Sequence, residues 1–342
     1  MSISYTSENA TGLAVDQRSA VGGPVSSVIL GLSFLVGVPG NLLVIWTILR
    51  HVTQRSHTVV LILHLAAADL LVLITLPLWI YSLAYSWVFG EASCKAMVYI
   101  IKVCMFSSVF FITLMSVERF LFIRYPFEML AWKDTAIMDT FLGVMWLLAF
   151  LLGVPAILTQ RVDTIDGTEQ CLGMEYSSVA QEMICLCLDT LGGFVAPFTI
   201  LGICYCLVAA QLKGMHLQHK QKSMVLISSV VIAFTLCWLP YHIINIIDLV
   251  CILTRDTNDG ARCAPESLIF ISGALTFISS SVNPVLYALI AKNFQGSLQE
   301  TRLVRLFQEV ATHTNKLREQ VVQYQIGKRA TKPQTEQMSD IV

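Results

Sequence analysis

The sequence has 342 residues, of which 55% are hydrophobic and only 13% are charged. Soluble domains usually carry about 25% charged residues, so this chain lacks the charge needed to cover a water-facing surface of ordinary size. Its net charge of −1 gives no positive field of the kind that attracts nucleic acid.

Seven long apolar blocks follow one another along the chain. About 20 apolar residues in a helix cross a bilayer core of roughly 30 Å, and every backbone N–H and C=O inside lipid must be bonded within its own segment. The sequence therefore predicts an all-α bundle of seven transmembrane helices, here called spans 1 to 7, rather than a soluble helical core. The predicted spans are Val25–Leu49, Val59–Ala84, Met97–Ile123, Ala136–Leu158, Met183–Leu212, Met224–Leu253 and Leu268–Ile290.

The distribution of Lys and Arg predicts the orientation of the bundle. These residues concentrate in the loops after spans 1, 3, 5 and 7, and such residues stay in the cytoplasm. We therefore expect a multi-pass protein of the plasma membrane with its N-terminal tail, residues 1–24, outside the cell. Asn9 in that tail begins an Asn-Ala-Thr glycosylation acceptor. The sequence opens without a basic segment or an early apolar stretch, so no cleaved signal peptide is expected.

The region after the transmembrane domain, residues 25–290, divides into two parts. Residues 291–307 predict an amphipathic helix that lies on the membrane, with Arg302 and Arg305 near the lipid headgroups. Its apolar side chains are Phe294, Leu298, Leu303, Leu306 and Phe307. Residues 308–342 are polar and predict a cytoplasmic tail without a stable fold.

Two pairs of cysteines lie on the predicted outer side. Cys94 begins span 3 and Cys171 lies in the loop between spans 4 and 5, where an oxidising environment makes a disulfide available. This bond would fasten the loop over the mouth of the bundle. Cys251 and Cys263 flank the loop between spans 6 and 7, and a second disulfide there is a hypothesis.

Each span carries a short motif. In chain order the motifs are Gly40-Asn41-Leu42-Leu43-Val44, Leu65-Ala66-Ala67-Ala68-Asp69, Glu118-Arg119-Phe120, Trp146, Pro197 with Tyr205, Phe234 with Cys237-Trp238-Leu239-Pro240, and Asn283-Pro284-Val285-Leu286-Tyr287. Each of them resembles a signature of the rhodopsin-like (class A) G-protein-coupled receptors. One such motif is weak evidence, but the whole set occurs in order on seven spans, over roughly residues 25 to 306. The resemblance implies a receptor that binds an agonist outside the cell and a heterotrimeric G protein and arrestin inside it.

The resemblance implies a polar cluster around Asp69 near the middle of the membrane. A carboxylate at that depth is costly unless a proton, a cation or hydrogen bonds accompany it. Ser108, Ser279, Ser280 and Asn283 would complete an oxygen-rich cage suited to sodium. The alternative is a water-filled hydrogen-bond network without an ion, and no other cofactor is expected.

The same resemblance assigns Arg119, at the inner end of span 3, to contact with the G protein. Glu118 would hold this guanidinium in the inactive state. Lys220 stands where many relatives carry a second acidic partner, so we expect detectable signalling without ligand. Phe127 would dock into the G protein. The residues that would couple ligand contact to helix movement are Tyr205, Phe234, Trp238, Asn283, Pro284 and Tyr287.

Polar side chains in the outer halves of the spans form the predicted ligand site. Lys102 brings a cation into an apolar stretch of span 3, and Asp189 lies in span 5. The other candidates are Tyr241, His242 and Asn245 in span 6 and Arg161 at the outer end of span 4. Cations, donors and apolar walls suit a mostly apolar ligand with hydroxyls and an acid. A structural bridge between Lys102 and Asp189 is an equally supported alternative.

Two single positions exclude familiar ligand classes. A light receptor would need a Schiff-base lysine where Phe277 stands, and an amine receptor would need an aspartate where Ile101 stands. The runs 238–245 and 279–284, together with Asp189, are instead similar to the leukotriene B4 receptors. The runner-up is a receptor for a chemoattractant peptide. The short, mildly basic loop between spans 5 and 6 favours inhibitory G proteins by analogy.

Proteins of other classes fit the sequence poorly. A transporter would favour internal repeats and broken helices around a midplane site, and the two halves of this sequence show no repeat. An enzyme would need a nucleophile with a base, and the sequence shows no such constellation.

Overall fold

A computed structural model describes residues 8–52, 56–125, 135–165, 167–212, 221–254, 264–291, 302–310 and 323, with side chains from residue 23 onward in most of these segments. Two short strands and nine helices occupy residues 8–291 of this described part, and a turn of π-helix, Leu191–Val195, joins α6 to α7. The elements are α1 Glu8–His51, α2 His57–Leu73, α3 Leu76–Ala84, α4 Gly90–Arg124, α5 Thr135–Thr159, β1 Gln160–Ile165, β2 Thr168–Met174, α6 Val179–Thr190, α7 Ala196–Leu212, α8 Gln221–Thr254 and α9 Glu266–Ala291.

Seven helical stretches in the described residues are long and apolar enough to cross a membrane, which confirms the predicted all-α bundle. Spans 1, 3, 4, 6 and 7 are α1, α4, α5, α8 and α9, span 2 consists of α2 and α3, and span 5 runs from α6 to α7. The first helix begins at Glu8, so it continues into the predicted N-terminal tail and includes Asn9.

Two spans are interrupted where proline removes a backbone donor. In span 2, α2 ends at Leu73 before Pro77, and the Thr75 hydroxyl donates to the Val72 carbonyl over 2.7 Å. In span 5, the π-helical turn ends at Val195, two residues before Pro197. A π-helical turn changes the direction in which the neighbouring side chains point. Asp189 lies in α6, directly before this turn.

The loop between spans 4 and 5 forms a β-hairpin that the sequence did not predict. Strands β1 and β2 pair antiparallel, and Gly167 takes a positive φ of 77° in the turn. A disulfide joins Cys171 in β2 to Cys94 in α4, with 5.6 Å between their Cα atoms, which confirms that predicted bond. We call this the disulfide end of the bundle and the opposite end the Arg119 end. Cys251 is also disulfide-bonded, and its predicted partner Cys263 lies outside the described residues.

Glycines let span 1 pack closely against span 7, as small residues often do between membrane helices. A Cβ on Gly37 would lie 2.6 Å from Leu73 Cδ1 and 2.9 Å from Ser281 Cβ. One turn along, the Asn41 amide donates to the Ser280 carbonyl and to the Gly37 carbonyl, each over 3.0 Å. Asn41 thereby ties span 1 to span 7.

Gly37→Val is expected to lower the apparent Tm of the purified protein, because an overpacked interface costs about 1–3 kcal/mol. Gly31→Val is the matched control on the same helix, since nothing lies within 4 Å of a Cβ built at Gly31. Thermal unfolding in detergent measures both variants. Equal melting of Gly37→Val and Gly31→Val would contradict close packing at this interface.

Part of the predicted tail helix packs against the protein. Residues 302–310 are helical, and Leu303, Leu306 and Phe307 are buried in the same core as Tyr287, whose ring centroid lies 5.8 Å from that of Phe307. An amphipathic pattern shows which face is apolar, but it does not tell lipid from protein as the partner. Phe294 and Leu298 lie outside the described residues.

Candidate functional site

Two cavities open side by side at the disulfide end. The first, about 140 Å³, lies among spans 3 to 7 and reaches Asp189, Asn245 and Asp248. The second, about 210 Å³, lies among spans 1, 2, 3 and 7, and its walls are largely apolar. We call it the apolar chamber. Lys102 and Tyr241 line both cavities, so they stand at the partition between a polar and an apolar space.

Lys102 is the centre of a hydrogen-bonded network that joins spans 3, 5 and 6. Its Nζ donates to both carboxylate oxygens of Asp189 over 2.9 Å and contacts the Tyr241 hydroxyl at 2.7 Å. The Tyr241 hydroxyl also donates to Asp189 Oδ2 over 2.6 Å, and the Asn245 amide does so over 3.0 Å. The predicted bridge between Lys102 and Asp189 is therefore present. A ligand that takes Lys102 from Asp189 would loosen three spans at once.

His242 and Arg161 do not line either cavity, although both are predicted ligand contacts. His242 is buried, stacks on Phe194 with 4.8 Å between centroids, and has no hydrogen-bond partner on either ring nitrogen. Arg161 lies in β1, where its Nε is 2.7 Å from a Glu175 carboxylate oxygen and its Nη1 donates to Glu91. The hydrogen bond to Glu91 is the main cause that raises the pKa of this guanidinium. The hairpin thus draws Arg161 to the rim.

An aromatic stack runs from the network towards the middle of span 6. Lys102, Asp189 and Trp238 line one small cavity, and the Trp238 ring lies 6.1 Å from the Tyr241 ring and 5.1 Å from the Phe234 ring. The Trp238 indole donates to the Ser279 hydroxyl of span 7 over 3.1 Å. Movement at Tyr241 is therefore in position to reach Trp238 and Phe234, and through Ser279 span 7.

Asp69 lies in the middle of the bundle, and only 2% of its surface is exposed. Asn283 donates to its Oδ2 over 2.7 Å, and Ser108 donates to its Oδ1 over 3.4 Å. The Ser279 hydroxyl instead donates to the Thr276 carbonyl over 2.6 Å. Of the four residues predicted around Asp69, Asn283 and Ser108 therefore contact its carboxylate.

At the Arg119 end, Glu118 contacts two side chains of span 2. Glu118 accepts a hydrogen bond from the Thr58 hydroxyl over 3.2 Å, and His57 Nδ1 lies 3.3 Å from its other oxygen. Arg119 and Tyr205 line one small cavity with Ser116. Span 2 therefore takes part in holding Glu118, which the sequence did not predict. Phe127 and Lys220 lie outside the described residues.

The family of the chain follows from residues 40–287, which match the model of the seven-transmembrane receptors of the rhodopsin family. This chain belongs to that family. It is therefore a multi-pass membrane receptor that takes a ligand and acts through a G protein, and it is not an enzyme. The matched region contains the Lys102 network, Asp69, Arg119 and the run from Asn283 to Tyr287.

The sequence of the receptor is similar to those of two groups of proteins within the family. It is 31% identical to the rat leukotriene B4 receptor 1, over 85% of this chain and 83% of the relative. It is 34% identical to the human leukotriene B4 receptor 2, over 81% and 78%. The dog atypical chemokine receptor 3 is 31% identical, over 87% and 86%.

The apolar chamber is the part of the site that the sequence did not reveal. Its walls include Trp79, Phe270 and Phe277. In the sequence these residues do not differ from the apolar residues of any membrane-spanning helix. The one signal in the sequence is Thr75-Leu76-Pro77, because a proline inside an apolar span interrupts its helix. The helix break there re-aims α3, the helix that carries Trp79.

Proposed function

We propose that the receptor recognises an extracellular chemoattractant, and that its ligand is leukotriene B4 or a related hydroxylated fatty acid. The observation that carries this proposal is the position of Lys102 and Tyr241, which line both a polar and an apolar cavity. An amphiphilic acid needs both environments within one molecular length. Its carboxylate or hydroxyls would bond to Lys102, Tyr241 and Asn245, while its hydrocarbon part would fill apolar space.

Three further parts of the proposal concern the cell. The receptor lies in the plasma membrane with its N-terminus outside, so that the disulfide end faces the medium, where disulfides persist. The Arg119 end then faces the cytoplasm and activates a G protein of the inhibitory class. After activation, arrestin binds the same end and the phosphorylated tail.

A peptide chemoattractant is the alternative ligand. The similarity to atypical chemokine receptor 3, a relative named for chemokines, favours it. The exposed ion pairs of Arg161 with Glu91 and Glu175 offer charged groups at the rim that a peptide could contact.

A ligand screen in transfected cells separates the two. Cells that express the receptor are exposed to leukotriene B4, other hydroxylated fatty acids and chemotactic peptides, and cyclic AMP is measured. We expect the hydroxylated acids to lower cyclic AMP at the lowest concentrations, and cells that express Arg119→Ala to give no response. A response to peptides alone would replace the lipid proposal with the alternative.

The cluster around Asp69 fits a sodium ion. The Asp69 carboxylate and the Ser108 hydroxyl are oxygen ligands of the type that hard cations prefer, and Ser279, Ser280 and Asn283 of span 7 complete the predicted set. When bound, the cation would neutralise a buried carboxylate. These residues would hold the cation in the inactive receptor, so that sodium and an agonist would oppose each other.

Replacing sodium by N-methylglucamine is therefore expected to raise agonist affinity about 5-fold, the lower range of allosteric coupling. Asp69→Asn should remove this difference, because the carboxylate that attracts the cation is gone. Radioligand competition on membranes at constant ionic strength gives both values. Equal affinity of the unaltered receptor in the two salts would favour the water-filled network.

A further inference from the structure

Gln160 lines both cavities, as Lys102 and Tyr241 do, but it takes no part in the Lys102 network. Gln160 begins β1 directly after α5, and only 3% of its surface is exposed. Among the described residues, these three are the polar ones that belong to both walls. Gln160 therefore lies at the partition where the proposed ligand would pass from one cavity to the other.

The hairpin fixes the orientation of the Gln160 amide. Its Nε2 donates to the Cys171 carbonyl over 3.1 Å, and the disulfide to Cys94 holds Cys171 in place. Because a carbonyl oxygen only accepts hydrogen bonds, the amide atom that faces it is the nitrogen. The two ends of the amide are thereby distinguished, and Oε1 is the end that does not face Cys171.

Gln160 Oε1 is an open acceptor in the wall of the ligand site. The described side-chain hydrogen bonds of this residue are made by Nε2. Oε1 does not belong to the described side-chain atoms that are fully buried without a partner, so this oxygen keeps accessible surface. Since the residue is otherwise buried and lines the two cavities, that surface opens into them.

In the cavity of about 140 Å³, here called the polar cavity, the open hydrogen-bonding capacity is mainly that of acceptors. Lys102 uses its three donors on Asp189 and Tyr241. The Ser272 hydroxyl donates to a carbonyl of its own helix over 3.0 Å. The Asn245 amide donates to Asp189, and its Oδ1 is likewise neither bonded nor fully buried. A ligand group that enters this cavity should therefore bring hydrogen-bond donors.

A carboxylate is a poor occupant of the polar cavity. Asp248 and Glu182 line it together with Asp189, and juxtaposed like charges disfavour binding. Lys102 is the only Lys or Arg among its described lining residues. In the apolar chamber Lys102 is the only charged residue among those described, so an acid group can reach this ammonium from the chamber. Hydroxyl groups suit the polar cavity instead.

We propose that Gln160 Oε1 accepts a hydrogen bond from a hydroxyl group of the ligand, and that the polar cavity thereby selects hydroxylated acids over keto acids of the same shape. A ketone has no proton to donate. In the same pose it would leave the Gln160 oxygen unbonded in a space from which water has been displaced. This inference rests on the proposed function and deepens it, because it assigns the hydroxyl groups to one cavity and to one protein atom.

The experiment compares leukotriene B4 with analogues in which one hydroxyl at a time is oxidised to a ketone. The receptors are the unaltered chain, Gln160→Met, Gln160→Glu and the control Ser272→Ala, which alters a hydroxyl of the same cavity that is already bonded within its own helix. Both changes at Gln160 remove the bond to the Cys171 carbonyl, but only Gln160→Glu keeps an acceptor oxygen. Competition binding gives the affinity ratio of hydroxyl to ketone ligand on each receptor.

On the unaltered receptor and on Ser272→Ala, at least one ketone is expected to bind about 5- to 50-fold more weakly than leukotriene B4. Gln160→Met should bring this ratio close to one and leave the affinity for that ketone unchanged or improved, whereas Gln160→Glu should keep the preference for the hydroxyl.

Three results would overturn this inference alone. They are equal binding of leukotriene B4 and every ketone by the unaltered receptor, equal loss of the preference in Gln160→Met and Gln160→Glu, and loss of all ligands by Gln160→Met, since a ketone needs no acceptor at this position. Absence of binding by leukotriene B4 and all its ketones to the unaltered receptor would overturn the proposed function with it.

Discussion

Lys102→Met is expected to destabilise the ligand-free receptor, and a second change, Asp189→Leu, is expected to restore its stability without restoring its response. Removing one partner of a buried ion pair costs about 3–5 kcal/mol, whereas replacing both by apolar residues is often neutral. Because Lys102 and Asp189 are 19% and 18% exposed, we expect the lower part of that range. The apparent Tm should fall in the single variant and recover in the double variant.

The response of these variants tests the ligand contact separately. A hydrogen bond to a charged group contributes about 1.5–3 kcal/mol, so loss of Lys102 should raise the EC50 of an acidic lipid agonist roughly 10- to 150-fold. The double variant should share this loss although it is folded and at the membrane. The matched control is Lys95→Met, which removes a cation of the same helix whose partner is the exposed Glu91.

Two results would contradict this account of the network. An unchanged EC50 in the double variant would leave Lys102 as a purely structural bridge. Equal melting of the single and double variants would mean that Asp189 loses nothing when its partner is removed, and the network could then not restrain spans 3, 5 and 6.

Arg119→Ala should abolish nucleotide exchange on the G protein while ligand binding at the disulfide end persists. The two sites lie at opposite ends of span 3, so the loss is expected in activation and not in affinity. Glu118→Gln should act in the opposite direction and raise basal exchange several-fold, because a neutral amide pairs less strongly with Arg119 and with His57. Basal exchange should be detectable even in the unaltered receptor.

Purified receptor in lipid nanodiscs, with labelled GTP analogue as the readout, measures these rates. Arg124→Ala is the control, since Arg124 ends the same helix and lies over the Tyr125 ring at 5.0 Å. Normal exchange by Arg119→Ala would remove this residue from the account. Basal exchange no higher than that of empty nanodiscs would contradict the expected ligand-independent activity.

Hydropathy predicted the seven spans because lipid imposes one rule on every crossing segment, namely that backbone groups bond within it. It also allowed the Cys94–Cys171 bond, since topology alone brings both residues to one side. The same rule carries no information on loops, and the β-hairpin between spans 4 and 5 was not predicted. The sequence predicts Arg161 among the ligand contacts, but the hairpin carries this side chain to the rim of the bundle.

Neighbour relations within the bundle were harder to predict than the spans themselves. Nothing in the sequence distinguishes Trp79 from other aromatic residues in membrane helices, and its place in the wall of the apolar chamber appears only when the helices are packed. The periodicity of residues 302–310 correctly indicates an apolar face, but it does not indicate that part of this face packs against the protein core around Tyr287. A sequence pattern indicates which face of a helix is apolar, whereas the packing of the helices determines what that face contacts.

Agonist-driven nucleotide exchange by purified components bears on the whole mechanism at once. The receptor in nanodiscs is mixed with an inhibitory heterotrimer, and exchange is followed before and after addition of leukotriene B4, with the double variant Lys102→Met and Asp189→Leu in parallel. The account predicts faster exchange in the unaltered receptor and no acceleration in the double variant. If both receptors accelerate alike at the same ligand concentration, opening of the Arg119 end does not begin at the Lys102 network.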